Sequence, residues 1–180
     1  MPTSLHNFSD KPIVLIGLMG AGKSSIGRKL ATKLALPFWD SDDEIETISN
    51  YSISEIFALY GEARFRKLEE IVIERLISGP QHVLATGGGA FMNKELRKII
   101  KQKSKTFWLY WNADTLIKRI KNNDKRPVVK NMSLVEIKKL ISERNKIYYF
   151  SDFKIICESL KKAEIADKIF QKCKKNEIIY

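Results

Sequence analysis

The residues whose types and spacing most directly suggest chemistry lie near the N-terminus. Residues 17–24 read GLMGAGKS and match the pattern G-x-x-x-x-G-K-S/T in full. The match sits between an apolar run, Ile13 to Ile16, and a helical pattern that starts at Ser24. A loop of this kind turns backbone N–H groups toward phosphates, with Lys23 near the β- and γ-phosphates and the Ser24 hydroxyl on Mg²⁺. An ordinary glycine turn is the alternative, and the strand, Lys, Ser and helix together argue against it.

Two acids follow the second apolar run, Pro37 to Trp39. Asp40 and Asp42 are two residues apart, so on an extended segment both carboxylates would point the same way. Such a pair can hold Mg²⁺ through water and orient an acceptor hydroxyl for phosphoryl transfer. Alternatively, the acids from Asp40 to Glu44 could cap a helix and favour its dipole. The spacing alone does not decide between the two.

Two arginines continue the apolar stripes of predicted helices. Arg66 lies on a long helix, where Glu69 and Glu70 could hold its guanidinium in place. Arg144 lies three residues after Ile141 on a later helix. Inward-facing arginines could grip a carboxylate or phosphate bidentately, or they could form structural ion pairs.

Three glycines and a basic segment add further candidates. Gly87, Gly88 and Gly89 follow a strand without an Asp at its end, so Asp40 is expected to take the metal role. The glycines would allow close backbone approach and offer N–H groups to an anion, or they would form a flexible turn. Residues 122–132 are polar and contain Arg126. They could form a flexible lid that brings Arg126 to the phosphates, or an exposed connector.

Apolar runs that alternate with helical patterns must position these residues. Strands alternating with helices predict an α/β fold with a parallel sheet covered on both faces, and ligands then gather at the carboxyl ends of the strands. We expect a single domain over residues 1–180. The predicted strands are Ile13–Ile16, Pro37–Trp39, His82–Thr86, Lys105–Tyr110 and Phe153–Cys157. The predicted helices are Ser24–Leu34, one starting at Ser52, Ala63–Ile77, Ser133–Tyr149 and Ala163–Cys173.

Composition excludes several classes of protein. The 180 residues carry 32 basic and 21 acidic side chains, a net charge of +11, which attracts anions. The basic residues are spread out and show no nucleic-acid-binding signature, so phosphorylated small molecules are the expected partners and nucleic acid is not. Two cysteines and two histidines without metal-ligand spacing argue against a zinc site or a disulfide framework. With no membrane-length apolar run and no secretory signal, we expect a cytoplasmic protein. We also expect a monomer.

Taken together, the motifs resemble those of shikimate kinases from about Ile13 to Cys173. The shared segments are GLMGAGKSS, DSD after the second strand, FALYGEARFRKLE, TGGGA, KRP and ERNKIYY. The resemblance implies a three-layer P-loop NTPase fold, similar to nucleoside monophosphate kinases, with five parallel strands. It also implies ATP and Mg²⁺ as cosubstrate and cofactor, and phosphoryl transfer to the 3-hydroxyl of shikimate.

The same resemblance implies roles for individual residues. The catalytic group would be Lys23, Asp42 and Arg126. The nucleotide would be bound by Gly20, Ala21, Gly22, Lys23, Ser24, Ser25, Arg119 and Arg126. Shikimate would be bound by Asp42, Arg66, Gly87, Gly88, Gly89 and Arg144. Mg²⁺ would be held by Ser24 and Asp40. One departure is that residues 158–161 lack the arginine that the family often carries after its last strand.

Three alternatives remain. A related small-molecule kinase, such as one acting on gluconate, would share the fold and the loop, but RFRKLE and TGGGA argue against it. A nucleotide-gated protein acting on RNA would use the basic surface and show salt-sensitive affinity. A catalytically weak paralogue is disfavoured because Lys23, Asp42, Arg66 and Arg144 are all present.

Overall fold

The computed structural model of the protein describes residues 10–121, 132–176 and 178. The strands are β1 (Ile13–Ile16), β2 (Phe38–Asp40), β3 (Val83–Ala85), β4 (Lys105–Tyr110) and β5 (Phe153–Ile156). The helices are α1 (Lys23–Leu34), α2 (Ser41–Ser49), α3 (Ile53–Ile77), α4 (Lys94–Lys103), α5 (Ala113–Lys121), α6 (Leu134–Tyr148) and α7 (Lys162–Lys175). A short 3₁₀ turn covers Ala90–Met92.

The strands of the described residues form one parallel sheet in the order β2-β3-β1-β4-β5. β1 is central, and its Ile13 lies opposite Val83 of β3 on one side and Lys105 of β4 on the other. All four residues of β1 are buried, which explains why this strand is a continuous apolar run. The predicted α/β class, with a five-stranded parallel sheet flanked by helices, is confirmed.

The helices lie on both faces of the sheet. The crossover from β1 to β2 runs in the opposite direction to those from β2 to β3, β3 to β4 and β4 to β5. Right-handed crossovers therefore place α1 on one face and α3, α4 and α6 on the other. α7 packs against α1, and α3 packs against α4. This arrangement leaves the carboxyl edge of the sheet open for the loops that carry the candidate residues.

Most local predictions agree with the structure. Both predicted capping boxes are present, Ser52 with Glu55 and Ser133 with Glu136. The two helices predicted on either side of residue 61 form one element, α3, which is interrupted at Gly61 (φ 77°, ψ 171°). The sequence pattern does not predict helices α4 and α5, because their many lysines mask the apolar residues at helical spacing.

The core has a main part and a smaller satellite. The main cluster surrounds β1 and β4 and extends to both helical layers. The satellite contains Ile45 of α2 together with Ile56, Phe65 and Val72 of α3. It supports α2 and the first half of α3 beside the sheet edge, so it holds up one wall of the candidate site.

The predicted lid, residues 122–132, lies outside the described residues except for Met132. In the parts of the chain that the structure describes, no helix has both the length and the apolar character that a membrane span would need.

Candidate active site

Residues 17–24, here called the phosphate loop, bend sharply between β1 and α1. Gly20 (φ 79°) and Gly22 (φ 88°) adopt left-handed backbone conformations that other L-residues rarely adopt. α1 starts directly afterwards at Lys23, so its N-terminal N–H groups face the loop. The ammonium group of Lys23 donates to the carbonyl oxygens of Gly17 at 2.8 Å and Leu18 at 3.0 Å. Gly20, Gly22, Lys23 and Ser24 of this loop all line one cavity.

Asp40 is the last residue of β2 and the N-cap of α2. Its Oδ1 accepts from the backbone N–H of Asp42 at 3.0 Å, and its Oδ2 accepts from the Ser24 hydroxyl at 2.5 Å. The expectation that Asp40 and Asp42 share an extended segment is wrong, because α2 begins between them at Ser41. The alternative reading, a helix cap, is confirmed for Asp40, and the same carboxylate still reaches the phosphate loop.

The Ser24–Asp40 pair has the chemistry of a magnesium site. A hydroxyl and a carboxylate in contact beside a phosphate loop are hard oxygen donors, which Mg²⁺ prefers together with phosphate oxygens and water. Among the described residues, no group of three or more His, Cys, Asp or Glu side chains could hold a metal ion by itself. These donors therefore fit an ion that is shared with a bound nucleotide.

Gly87, Gly88 and Gly89, here called the glycine loop, are small because charged side chains lie against them. A Cβ atom at Gly87 would lie 2.6 Å from Glu69 Oε1 and 2.8 Å from Asp42 Oδ1. A Cβ atom at Gly89 would lie 2.5 Å from Arg66 Nη1. These close contacts are with the protein's own side chains, and a close approach of the glycine backbone to an anion stays a prediction. The Gly87 N–H donates to Ser41 Oγ at 2.9 Å, so this amide anchors the loop internally and is not offered to an anion.

The two predicted arginines reach the glycine loop from different helices. Arg66 Nη1 donates to Glu69 Oε2 at 2.7 Å, and Nη2 donates to Glu62 Oε1 at 3.1 Å. Arg144 Nη1 donates to the Gly88 carbonyl oxygen at 3.1 Å. Both guanidinium groups line one cavity among the described residues, and their use in binding an anion stays a prediction.

The sequence indicated Glu69 only as a possible ion-pair partner of Arg66, and the structure adds that its carboxylate is buried. Its side chain is 3% exposed, and Oε1 has no hydrogen-bond partner among the described residues. Burial raises the pKa of this carboxyl group above its usual value, and the nearby Asp42 adds to the increase, whereas the ion pair with Arg66 opposes it. Glu69 thus holds Arg66 in place, although removing its carboxylate from water costs free energy.

Tyr148 was not predicted as a site residue, although it lies in the ERNKIYY segment. Its hydroxyl donates to the Gly88 carbonyl oxygen at 2.6 Å, so that oxygen accepts from both Tyr148 and Arg144. Burial raises the pKa of Tyr148 to about 12, so the phenol stays protonated as a donor. The signal in the sequence was its position four residues after Arg144 on the same helical face.

Two adjoining cavities collect the candidate residues. The arginine cavity, about 480 Å³, is lined by Asp42, Arg66, Gly87, Gly88, Gly89 and Arg144, with apolar side chains from the satellite core. The loop cavity, about 530 Å³, is lined by Gly20, Gly22, Lys23, Ser24, Ser25 and Arg119. The two cavities share Ser24, Asp40, Asp42, Gly87 and Gly88.

Two predicted residues are not found in these linings. Ala21 is fully buried, and its backbone N–H donates to the Leu18 carbonyl oxygen at 3.1 Å within the loop. Arg126 lies outside the described residues. Conversely, the lining of the loop cavity includes Thr86 and Lys162, which were not predicted as site residues.

Comparison with known proteins agrees with this geometry. The family model "Shikimate kinase" matches residues 19–174. A shikimate kinase of Rhodopseudomonas palustris is 45% identical over 160 residues, which cover 88% of this chain and 79% of the relative. The structure of shikimate kinase from Acinetobacter baumannii in complex with shikimate superposes with a TM-score of 0.88 at 32% identity and covers 94% of this chain and 96% of that one.

A more distant neighbour shares only its fold with this chain. A gluconokinase from Sinorhizobium meliloti has a TM-score of 0.60 at 16% identity, which indicates a shared fold alone. The family match covers most of the chain, including most of the phosphate loop, the glycine loop and both arginines. On that basis, this chain belongs to the shikimate kinase family.

Proposed function

We propose that the protein transfers the γ-phosphoryl group of ATP to the 3-hydroxyl of shikimate. The observation that carries the proposal is the junction between the two cavities. Asp42 lies in both linings, so one carboxylate lies between a phosphate-binding loop and a pair of arginines. Direct phosphoryl transfer requires this arrangement, because the acceptor hydroxyl must approach the γ-phosphorus in line with the leaving oxygen.

In this proposal, the loop cavity binds ATP. Backbone N–H groups of the phosphate loop and the N-terminus of α1 would surround the phosphates, and Lys23 would move from the loop carbonyls to the β- and γ-phosphates. Ser24 and Asp40 would hold Mg²⁺, Asp40 through water. When bound, the ion would neutralise charge that builds up on the phosphate oxygens.

The arginine cavity would bind the acceptor acid. Arg66 and Arg144 would contact the carboxylate of shikimate, because both guanidinium groups lie beside the glycine loop. Glu69 and Glu62 hold Arg66 from one side, and the Gly88 carbonyl oxygen fixes Arg144. The acid would therefore meet preformed donors, which lowers the entropic cost of binding.

Asp42 would then position the hydroxyl. A carboxylate at the cavity junction can accept a hydrogen bond from the acceptor hydroxyl and take its proton as the P–O bond forms. Arg126 is proposed as the additional cation on the transferring phosphoryl group, in keeping with its KRP motif.

The test is a comparison of acceptors. Purified protein with ATP and Mg²⁺ is supplied with shikimate, with gluconate or with no acceptor, while ADP release is followed and the product is identified by mass spectrometry. We expect turnover with shikimate only, and its loss in Lys23→Ala. The matched control is Lys29→Ala, which removes an exposed lysine of the same helix and should keep full activity. Turnover with gluconate alone would refute the proposed substrate, and ADP release at the same rate with and without an acceptor would refute the kinase reaction.

A further inference from the structure

Trp111 lies directly after β4, at the turn that leads into α5. It is 4% exposed and belongs to the main core cluster. The next residue, Asn112, caps α5 by accepting from the Thr115 N–H at 2.8 Å. Trp111 is thus in a position to influence how α5, and Arg119 on it, approaches the phosphate loop.

Two contacts link Trp111 to the loop cavity. Its indole Nε1–H donates to the carbonyl oxygen of Ala21 at 3.0 Å, so it is bonded directly to the phosphate loop. The guanidinium carbon of Arg119 lies 3.5 Å from the centroid of the Trp111 ring. An arginine stacked on an indole at this distance is a strong form of cation–π contact.

Arg119 is the part of α5 that lines the loop cavity. A Cβ atom at Gly20 would lie 3.5 Å from the Cβ of Arg119, so the arginine leaves its helix right beside the loop. A long side chain in this place loses considerable rotamer freedom when it binds a ligand, unless something already holds it. The ring of Trp111 provides that support from the buried side.

We propose that Trp111 is a positioning residue for the nucleotide, because it holds Arg119 against the phosphate loop before ATP binds. The inference rests on the proposed use of ATP and extends it to a residue that contacts no substrate. Two separable features of the side chain contribute. The N–H fixes the Ala21 peptide of the loop, and the ring face fixes Arg119.

A purely structural role makes a different prediction. A tryptophan that only fills the core could be replaced by another large apolar residue with a loss of stability but no selective loss of nucleotide affinity. Phenylalanine keeps a ring face and lacks the N–H, whereas leucine lacks both. The two variants therefore separate the contributions, and an Arg119→Ala background shows whether the ring acts through the arginine.

The experiment measures ATP affinity by calorimetry without any acceptor, for Trp111→Phe and Trp111→Leu, each with Arg119 present and with Arg119→Ala. We expect Trp111→Phe to bind ATP within about threefold of wild type, and Trp111→Leu about tenfold more weakly. In the Arg119→Ala background, the difference between phenylalanine and leucine should disappear. Phe107→Leu is the control, since it removes a fully buried ring of β4 that stacks on Phe153. It should lower the melting temperature and leave ATP affinity unchanged.

The inference would be overturned if Trp111→Leu bound ATP as well as Trp111→Phe, or if their difference were the same in both backgrounds. A parallel loss of ATP affinity in Phe107→Leu would overturn it as well, because general destabilisation would then account for the effect. Since no acceptor is present, a failure of shikimate turnover would refute the proposed reaction and leave this result standing.

Discussion

At the arginine cavity, charged side chains pack directly against the backbone of the glycine loop. The glycine loop has no left-handed φ angle, so crowding favours glycine there: Glu69 and Asp42 lie against Gly87, and Arg66 lies against Gly89. The sequence showed the glycines and both arginines, because each belongs to a local pattern. It could not show that Asp42 and Glu69 meet at Gly87, since the three residues come from α2, α3 and the segment after β3.

Replacing Asp42 with Asn should separate binding from chemistry. The amide is close in shape to the carboxylate but cannot accept a proton, so we expect ATP affinity to persist while kcat falls by about 100-fold or more. Steady-state kinetics and ATP titration measure the two quantities. Glu44→Gln is the control, because Glu44 is a nearby acid of α2 that is paired with Arg75 and lies outside both cavity linings. Near-normal turnover in Asp42→Asn would remove this residue from the mechanism.

Replacing Arg66 with Ala should weaken the acceptor far more than the nucleotide. The change removes one of the two arginines that line this cavity in the described part of the chain, and it leaves Glu69 buried without its ion pair. We expect KM for shikimate to rise by roughly thirtyfold or more while KM for ATP changes little. Arg64→Ala, at an exposed position of the same helix, should behave like wild type. Equal losses for both substrates would instead indicate misfolding.

Glu69 should make the free energy of unfolding fall as pH rises, which is the opposite of the effect of a carboxyl group whose pKa is lowered by folding. Its folded-state pKa is raised by burial, so the folded protein still holds the proton at pH values where the unfolded chain has released it. The free energy of unfolding should therefore fall as pH rises from the ordinary glutamate pKa of 4.5 through the raised pKa of the folded state. Glu69→Gln stays neutral and should lack this component.

Urea denaturation of both proteins over a pH series measures the difference. We expect wild type to lose stability relative to Glu69→Gln as pH rises through this window. Glu70→Gln, an adjacent acid outside both cavity linings, should follow the wild-type profile. Parallel profiles for wild type and Glu69→Gln would show that Glu69 releases its proton equally easily in both states.

At the scale of elements, α2 and α3 form one wall of the arginine cavity. The two halves of α3 change direction at Gly61, and the second half carries Arg66 and Glu69 to the glycine loop. The sequence predicted both halves from the Ser52 capping box and from the apolar stripe beyond residue 63. It did not predict α2 as a helix, because the DSD segment was equally compatible with an extended continuation of β2.

Helices α4 and α5 show a different limit of prediction. Their buried residues recur at helical spacing, with Leu96 and Ile100 in α4 and Leu116 and Ile120 in α5. The many lysines between these buried residues make the helical spacing difficult to recognise in the sequence. Asn93, which accepts from the Glu95 and Leu96 N–H groups, was a usable start signal for α4.

Gly61→Ala should destabilise the protein although there is room for a methyl group. No atom lies within 4 Å of a Cβ built at this position, so steric overlap is not the reason. The reason is the backbone, because φ 77° with ψ 171° is a conformation that is essentially restricted to glycine. We expect a loss of about 1–3 kcal/mol in the free energy of unfolding. Lys67→Ala, an exposed change in the same helix, is the control, and an unchanged midpoint for Gly61→Ala would show that the bend straightens at no cost.

At the scale of the whole molecule, the net charge of +11 bears on how anions arrive. ATP and shikimate are both negatively charged, and a basic surface concentrates such ligands near the cavities until salt screens it. We therefore expect KM for both substrates to rise with KCl concentration while kcat changes much less. KM values that stay constant across the salt series would show that the surplus charge has no part in substrate capture.

Five residues that line both cavities have a practical consequence for inhibition. Because the two cavities adjoin at Asp42 among the described residues, a single compound that joins a hydroxy-acid group to a polyphosphate mimic could occupy both regions at once if the proposed function holds. Each half would raise the effective concentration of the other, so affinity would grow multiplicatively without any new contact. Such a bivalent ligand would also bind more weakly to kinases that have a similar nucleotide site but a different acceptor site.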